Sequence, residues 1–320
     1  MPTKLNNPLP TKLFSSWDSF IPKSNSIFLF GTSVESRSIH PEAWEKKIND
    51  VKFVRVWVDE ENGKDIPSSC RIQHGQVSEI LKLRGEKFIT EYITNLGGDT
   101  IYLDITGLSH AIWAPLLKSA IMTKKRVEVV YAEPRSYSFS KTPTEAEIFD
   151  LSTQIRDIAP IPGFSSLKEP LNEESVVFVP LLGFEGRRLA YVFEKVQPPS
   201  NTTIPIIGVP GFRMEYPFYT YLGNRNILNI PKINNRVRYA VANSASDIFY
   251  QLNEISELYP KHLMKIAPIG TKPHALGAIL FALNSKKSVE LIYDHPIRKE
   301  RRTAGSGNIL VYSVNCVFDG

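Results

Sequence analysis

The chain has 320 residues, 42% of them hydrophobic and 22% charged, with a net charge of +5. That balance excludes a wholly disordered protein, and the length suits two lobes or one large α/β domain with a full core. Cys70 and Cys316 lie far apart in no ligand-like spacing, which excludes a disulfide framework and the familiar zinc motifs, and no apolar run nears the roughly 18 residues of a membrane span. The start, MPTKLNNPLP, is too polar and proline-rich for a signal peptide, so the expected location is the cytoplasm.

Residues 1–25 carry four prolines together with Phe14 and Trp17, which predicts an extended arm anchored on a surface. A strand is expected at 26–30 (SIFLF), then a turn with Gly31, Ser33, Glu35 and Arg37, and a helix start at Pro41 with acids in its first turn. Alternation marks a strand at 52–58, and 59–69 reads as a loop. Ile80, Leu83, Phe88, Tyr92, Ile93 and Leu96 have helical spacing, so 76–96 is predicted as a helix stopped by Gly97-Gly98. A strand at 101–105, a turn at Thr106-Gly107, a helix at 109–123 and a strand at 127–131 complete the first half. A helix is expected at 142–158 and a Pro/Gly/Ser-bearing linker at 159–174. The second half reads as strand 176–182, a turn with Glu185 and Arg187, a helix to 196, strand 204–209, a glycine and aromatic loop at 210–225, strand 238–241 and helix 247–258. It ends with a strand–turn–helix–strand unit over 265–296 and an antiparallel edge strand at 309–314. Helices between strands imply crossovers, and hence mainly parallel sheets. The expected architecture is α/β, with two tandem Rossmann-like units at 26–158 and 175–320.

An internal echo links the halves. When Gly107 is set on Gly270, both segments read strand, glycine turn, polar residues with a histidine, apolar helix, lysine pair, strand and proline. Glu35-Ser36-Arg37 and Glu185-Gly186-Arg187 likewise sit just beyond the first strand of each half, so an internal duplication is expected. The candidate ligand-binding residues are those of the four turns: Ser33, Glu35 and Arg37; Thr106, Ser109 and His110; Glu185 and Arg187; Gly270, Thr271, Lys272 and His274. Lys272, at a helix start after a Gly-Thr turn, is the residue best suited to an anion. Tyr219 and Tyr221, flanked by Arg213 and Arg225, fit either base stacking or a subunit interface. The basic run 298–302 reads as a solvated loop. No P-loop, dinucleotide fingerprint, nucleophile elbow or HExxH motif occurs, which argues against a nucleotide triphosphatase, dehydrogenase, serine hydrolase or zinc protease and leaves no expected cofactor or metal.

The turn Ile269-Gly270-Thr271-Lys272-Pro273-His274 resembles the Gly-Thr-Lys turn of CRISPR-associated Rossmann-fold (CARF) sensor domains, and Asp104-Ile105-Thr106-Gly107 resembles the Asp-x-Thr-Gly form of that turn. In that family two such units form a pseudo-two-fold pocket for a cyclic oligonucleotide, and the related SAVED domains fuse two units in one chain. The resemblance implies that Lys272, Thr271, Ser109 and the loop at Ser33 face phosphates. It also implies a sensor or accessory subunit of a prokaryotic anti-phage system, working through a protein partner that supplies the effector activity, or as a homo-oligomer. Two rival readings compete: a nucleotide-processing enzyme of ring-nuclease or nucleoside-hydrolase type, with His274 or Glu185 moving protons, and an architectural subunit whose tyrosine loop binds other proteins.

Overall fold

The computed structural model describes residues 9–33, 35–58, 65–144, 147–166 and 175–318. The chain runs from β1 (Thr11–Phe14) through β2 (Ser26–Phe30), α1 (Glu42–Glu45), β3 (Val51–Trp57), the hairpin of β4 (Ser69–His74) and β5 (Val77–Lys82), α2 (Glu86–Asn95), β6 (Thr100–Asp104), α3 (His110–Met122) and β7 (Arg126–Tyr137). It continues with β8 (Ser152–Ile155), β9 (Ala159–Pro160), β10 (Val176–Leu181), α4 (Gly186–Val196), β11 (Ile206–Gly208), α5 (Tyr216–Leu228) and β12 (Arg238–Ala240). Then come α6 (Ala245–Leu258), β13 (Leu263–Pro268), α7 (Lys272–Asn284), β14 (Val289–Tyr293), β15 (Pro296–Arg298) and β16 (Thr303–Ser313). No helix of the described residues is long and apolar enough to cross a membrane.

Two compact units emerge: a flanking unit, Leu5–Ser138 with Lys299–Gly320, and an inserted unit, Phe139–Arg298. The insertion point is the tip of the β7–β16 hairpin, where Tyr137 pairs with Thr303 and the Ser138 N–H donates to Arg302 O at 2.9 Å.

The flanking unit holds one eight-stranded sheet in the order β1-β16-β7-β6-β2-β3-β4-β5. Its centre, β7-β6-β2-β3, is parallel, and antiparallel pairs close both sides. Every residue of β6 is buried, as expected for a strand covered on both faces. One aromatic cluster covers part of a face: Trp17, Phe20 and Trp44 pack with Phe28 and Tyr102, and the Trp44 indole donates to Phe20 O at 2.6 Å. Burying each large ring contributes about 1.5–3 kcal/mol, enough to hold the arm down without regular structure along most of its length.

The inserted unit holds a six-stranded sheet, β12-β11-β10-β13-β14-β9. Its first five strands are parallel, and β9 is antiparallel on β14. Among those five the spatial order reverses between β10 and β13, as it does between β2 and β6 in the flanking unit. Helices α4 and α5 pack together, as do α6 and α7, and β8 with β15 makes a separate two-stranded ribbon.

Several expectations are corrected. The stretch 76–96 is not one helix: Gly75, at φ +59°, turns the β4–β5 hairpin, and α2 starts only at Glu86. Ile80 and Leu83 have helical spacing but belong to the extended arm of that hairpin and its exit, where Leu83 N–H still bonds Ser68 O. Among the described residues of 142–158 there is no helix but strand β8, and within 159–166 the chain joins the sheet as β9; residues 167–174 lie outside the described residues, as do 59–64. The glycine and aromatic loop is half helix, because Pro217 in the first turn of α5 fixes φ without losing a bond the helix needs. The strand over 309–314 is part of the longer β16, an inner strand between β1 and β7 rather than an edge. The compact units divide at 138/139 and 298/299, whereas the sequence reading placed the boundary at 159–174.

Candidate functional site

In parallel sheets, ligands sit beyond the carboxyl ends of the strands where the order reverses. In the inserted unit these are the turns after β10 and β13, and in the flanking unit those after β2 and β6. At both places the two neighbouring turns touch backbone to backbone. A Cβ on Gly270 would stand 2.5 Å from Leu182 O, and one on Gly107 would stand 1.6 Å from Gly31 O. The glycines permit this approach, so close packing alone accounts for their presence.

The two Glu-Arg motifs are buried clamps. Glu35 accepts from Arg37 Nε at 2.7 Å, from Arg302 Nε at 2.8 Å and from Thr303 Oγ1 at 3.1 Å. Arg37 also donates to Ala132 O and lies over the Tyr131 ring at 5.2 Å. Glu185 accepts from the Leu151 and Ser152 N–H groups at 2.8 and 2.9 Å and from Ser152 Oγ at 2.7 Å. Arg187 reaches Asp150 at 3.0 Å and the Ser152 carbonyl at 2.5 Å, and its side chain stays 39% exposed. The buried arginine of this turn is Arg188, which donates to both oxygens of Asp294 at 2.6 and 2.7 Å and to Ile269 O at 3.1 Å. Arg302, read as part of a solvated loop, is the second cation on Glu35, with only 13% of its side chain exposed.

At the start of α7, Thr271 is the N-cap: its hydroxyl accepts from His274 N–H at 3.3 Å and donates to Ala242 O at 2.7 Å. Lys272 opens the helix and is 5% exposed. His274 is fully buried and donates Nε2–H to Val241 O at 3.0 Å. Burial depresses its imidazole to about 4, so it is neutral near pH 7. With His274 sealed and Glu185 taken up by the Leu151 and Ser152 N–H groups, the Ser152 hydroxyl and Arg187 at 3.4 Å, neither is poised to move a proton to a ligand.

In the flanking unit, Ser33 bonds Ser38 through its N–H at 2.9 Å, and Thr106 Oγ1 accepts from Ala132 N–H at 2.9 Å. Ser109 caps α3 by position without a side-chain bond to its backbone, and His110 is buried with its ring 5.4 Å from Trp113. Sequence reasoning missed His40, whose Nε2–H donates to Asp104 Oδ2 at 2.9 Å with both side chains fully buried. Sixty-four residues separate the two, and no local pattern signals the pair.

A cleft of about 440 Å³ opens in the inserted unit beside the first turns of α4. Arg187 and Tyr191, four residues apart on one helix face, line one side, and Ser152, Thr153, Gln154 and Asp157 line the other. Of the sequence-derived site residues, Arg187 reaches this cleft, and Glu185 fixes its floor through Ser152. The residues of the 270–274 turn do not line it. Tyr221 instead borders an apolar groove of about 400 Å³ with Phe218 and Tyr239; Tyr219 packs on Phe149 at 5.4 Å, Arg213 pairs with Glu215 at 3.7 Å, and Arg225 lies half-buried on α5.

The chain is thus a mixed α/β protein with parallel-centred sheets and a cleft lined by Arg187, Tyr191 and the Ser152–Ile155 strand in its inserted unit. No protein-family model matches its sequence, and a search of curated proteins finds no match.

Proposed function

We propose that the protein binds a nucleotide signal and acts through a protein partner, as an accessory sensor subunit of a prokaryotic anti-phage system. The observation that carries this reading is the cleft of about 440 Å³, a volume suited to a mononucleotide or one segment of a cyclic oligonucleotide. Arg187 supplies a cation for phosphate, Tyr191 a ring face for a base, and Thr153 and Gln154 hydrogen-bonding groups.

The strand order β12-β11-β10-β13-β14 supports a Rossmann-like unit, being 3-2-1-4-5 in chain order. Duplication is supported by matched details: Gly107 and Gly270 each press on the neighbouring turn, and Glu35 and Glu185 each clamp a distant strand start. These details accord with a CARF-like pair of units. The groove of Phe218, Tyr221 and Tyr239 supports the partner-binding side of the proposal.

The test is calorimetry and thermal shift of the full chain against mononucleotides and cyclic oligonucleotides. A ligand is expected to stabilise the wild type, and Arg187→Ala and Tyr191→Ala each to weaken it about tenfold with the fold intact. No stabilisation by any of these compounds overturns the sensor reading. Recovery of the ligand as a cleaved product would replace it with the enzyme reading.

A further inference from the structure

β5 is the last strand of the eight-stranded sheet, and its outer edge pairs with no other strand among the described residues. Leu83 N–H bonds Ser68 O, so the odd-numbered residues of β5 direct their backbone groups to β4 and the even-numbered ones direct theirs outward. Lys82 O is taken by the Gly85 N–H at 2.8 Å, which leaves the N–H and C=O of Ser78 and Ile80 unbonded among the described residues. The odd-numbered side chains, Val77, Glu79 and Leu81, lie on the face that α2 covers. Beside them a groove of about 680 Å³ runs between β5 and one flank of α2. That flank is formed by Phe88, Glu91, Tyr92 and Asn95, spaced i, i+3, i+4 and i+7 on the helix. Val77, Ile80 and Phe88 are all strongly exposed there.

We infer that this groove binds an extended segment of a protein partner, added to β5 as a further strand and carrying a basic side chain between two apolar ones. The outward groups of Ser78 and Ile80 stand about 7 Å apart, a repeat that another extended backbone meets and that a helix, with its own groups bonded internally, does not. An added strand turns alternate side chains onto the α2 face. Because α2 runs back along β5, three of those side chains meet distinct surroundings. Phe88 lies at the Lys82 end, where a Cβ on Gly85 would stand 3.4 Å from its ring and 3.1 Å from Lys82 O, so the side chain opposite Leu81 meets an apolar wall. The one opposite Glu79 meets Glu79, Glu91 and Tyr92. Burial, and then the Glu79 charge, raise the Tyr92 hydroxyl, which sets that carboxylate and ring at one level. The side chain opposite Val77 meets Asn95 and Leu96. Two carboxylates therefore face the middle position. Glu79 is exposed and in no ion pair among the described residues, Lys87 stays 3.9 Å from Glu91 and largely solvated, and Lys82 points to the opposite face. A cation on the added strand complements them. A second copy of β5 fits less well: any pairing that bonds both Ser78 and Ile80 within the strand sets Glu79 opposite or diagonal to its own copy. This inference concerns the flanking unit and does not rest on the Arg187 cleft.

The experiment titrates the full chain into the fluorescein-labelled peptide Ser-Gly-Leu-Thr-Lys-Thr-Val-Gly-Ser and follows anisotropy. Antiparallel addition sets its Leu, Lys and Val opposite Leu81, Glu79 and Val77. Saturable binding is expected, and a peptide with Glu in place of Lys binds about fivefold more weakly. Methylating the amide nitrogens of both Thr residues, which face Ile80 and Ser78, abolishes binding; methylating that of Lys, which faces away, changes it less than about twofold. Glu79→Lys, at an exposed position, inverts the preference between the two peptides, and Phe88→Ala, also exposed, weakens both about tenfold. Absence of binding up to about 1 mM, indifference to either variant, or equal effects of the two methylations overturns the inference. So does a chain that sediments as a dimer and becomes monomeric in Ile80→Pro, which removes an outward N–H and assigns the edge to a second copy.

Discussion

His274 and His295 show how one buried atom sets the acid response of a unit. Burial pulls both imidazoles down to about 4, and the carbonyls that accept from them, Val241 O and Ala159 O, offset it only in part. An unfolded histidine titrates near 6.5, so between about pH 6.5 and 4 the unfolded chain takes up protons that the folded chain refuses. Stability is therefore full above that window and falls as the pH drops through it, by at most about 1.4 kcal/mol per pH unit for each histidine. Urea midpoints of the full chain at pH 7, 6 and 5 are expected to decline, and His295→Asn, which keeps a residue tolerant of the left-handed φ of 41°, to roughly halve the slope. A midpoint constant from pH 7 to 5 would show that the rings are not held neutral by burial.

Between elements, the decisive contacts are turns meeting turns. Gly107→Ala places a methyl 1.6 Å from Gly31 O, so the backbone of one turn must move; a loss of at least about 2 kcal/mol is expected by denaturant unfolding. Gly75→Ala meets no atom within 4 Å and costs only the left-handed backbone, about 1 kcal/mol. Equal losses for the two would refute the packing role of Gly107. These turns were legible because strand, glycine and helix follow one another locally, as at 26–33, 100–110 and 263–274. The β4–β5 hairpin was not, because Ile80, Leu83 and Phe88 satisfy helical spacing while the alternation of Cys70 and Ile72 lies just upstream. The clamps were half legible: Glu35 and Arg37 are two residues apart, but Arg302, on the same carboxylate, is 267 residues from it. Asp294 under Arg188 and His40 on Asp104 are likewise products of topology.

At the scale of the molecule, the inserted unit is a closed insertion. Its six-stranded sheet draws only on its own residues, and β8 pairs with β15, so the two ends of the segment are held together. Residues 139–298 expressed alone are therefore expected to fold, with cooperative urea unfolding and dispersed amide resonances. A chain that lacks both would make the flanking unit a requirement for its core.

The same topology fixes an order of events during synthesis. β1 finds its partner only in β16, about 300 residues later, an interval that takes about 15–60 s at 5–20 residues per second. Through that interval the inserted sheet can already be complete, while β7, with its run Val127–Tyr131 of buried side chains, has an unpaired edge open to neighbouring nascent chains. The first strand made is among the last to be docked, and the vulnerable moment of this protein falls on the ribosome rather than in the finished fold.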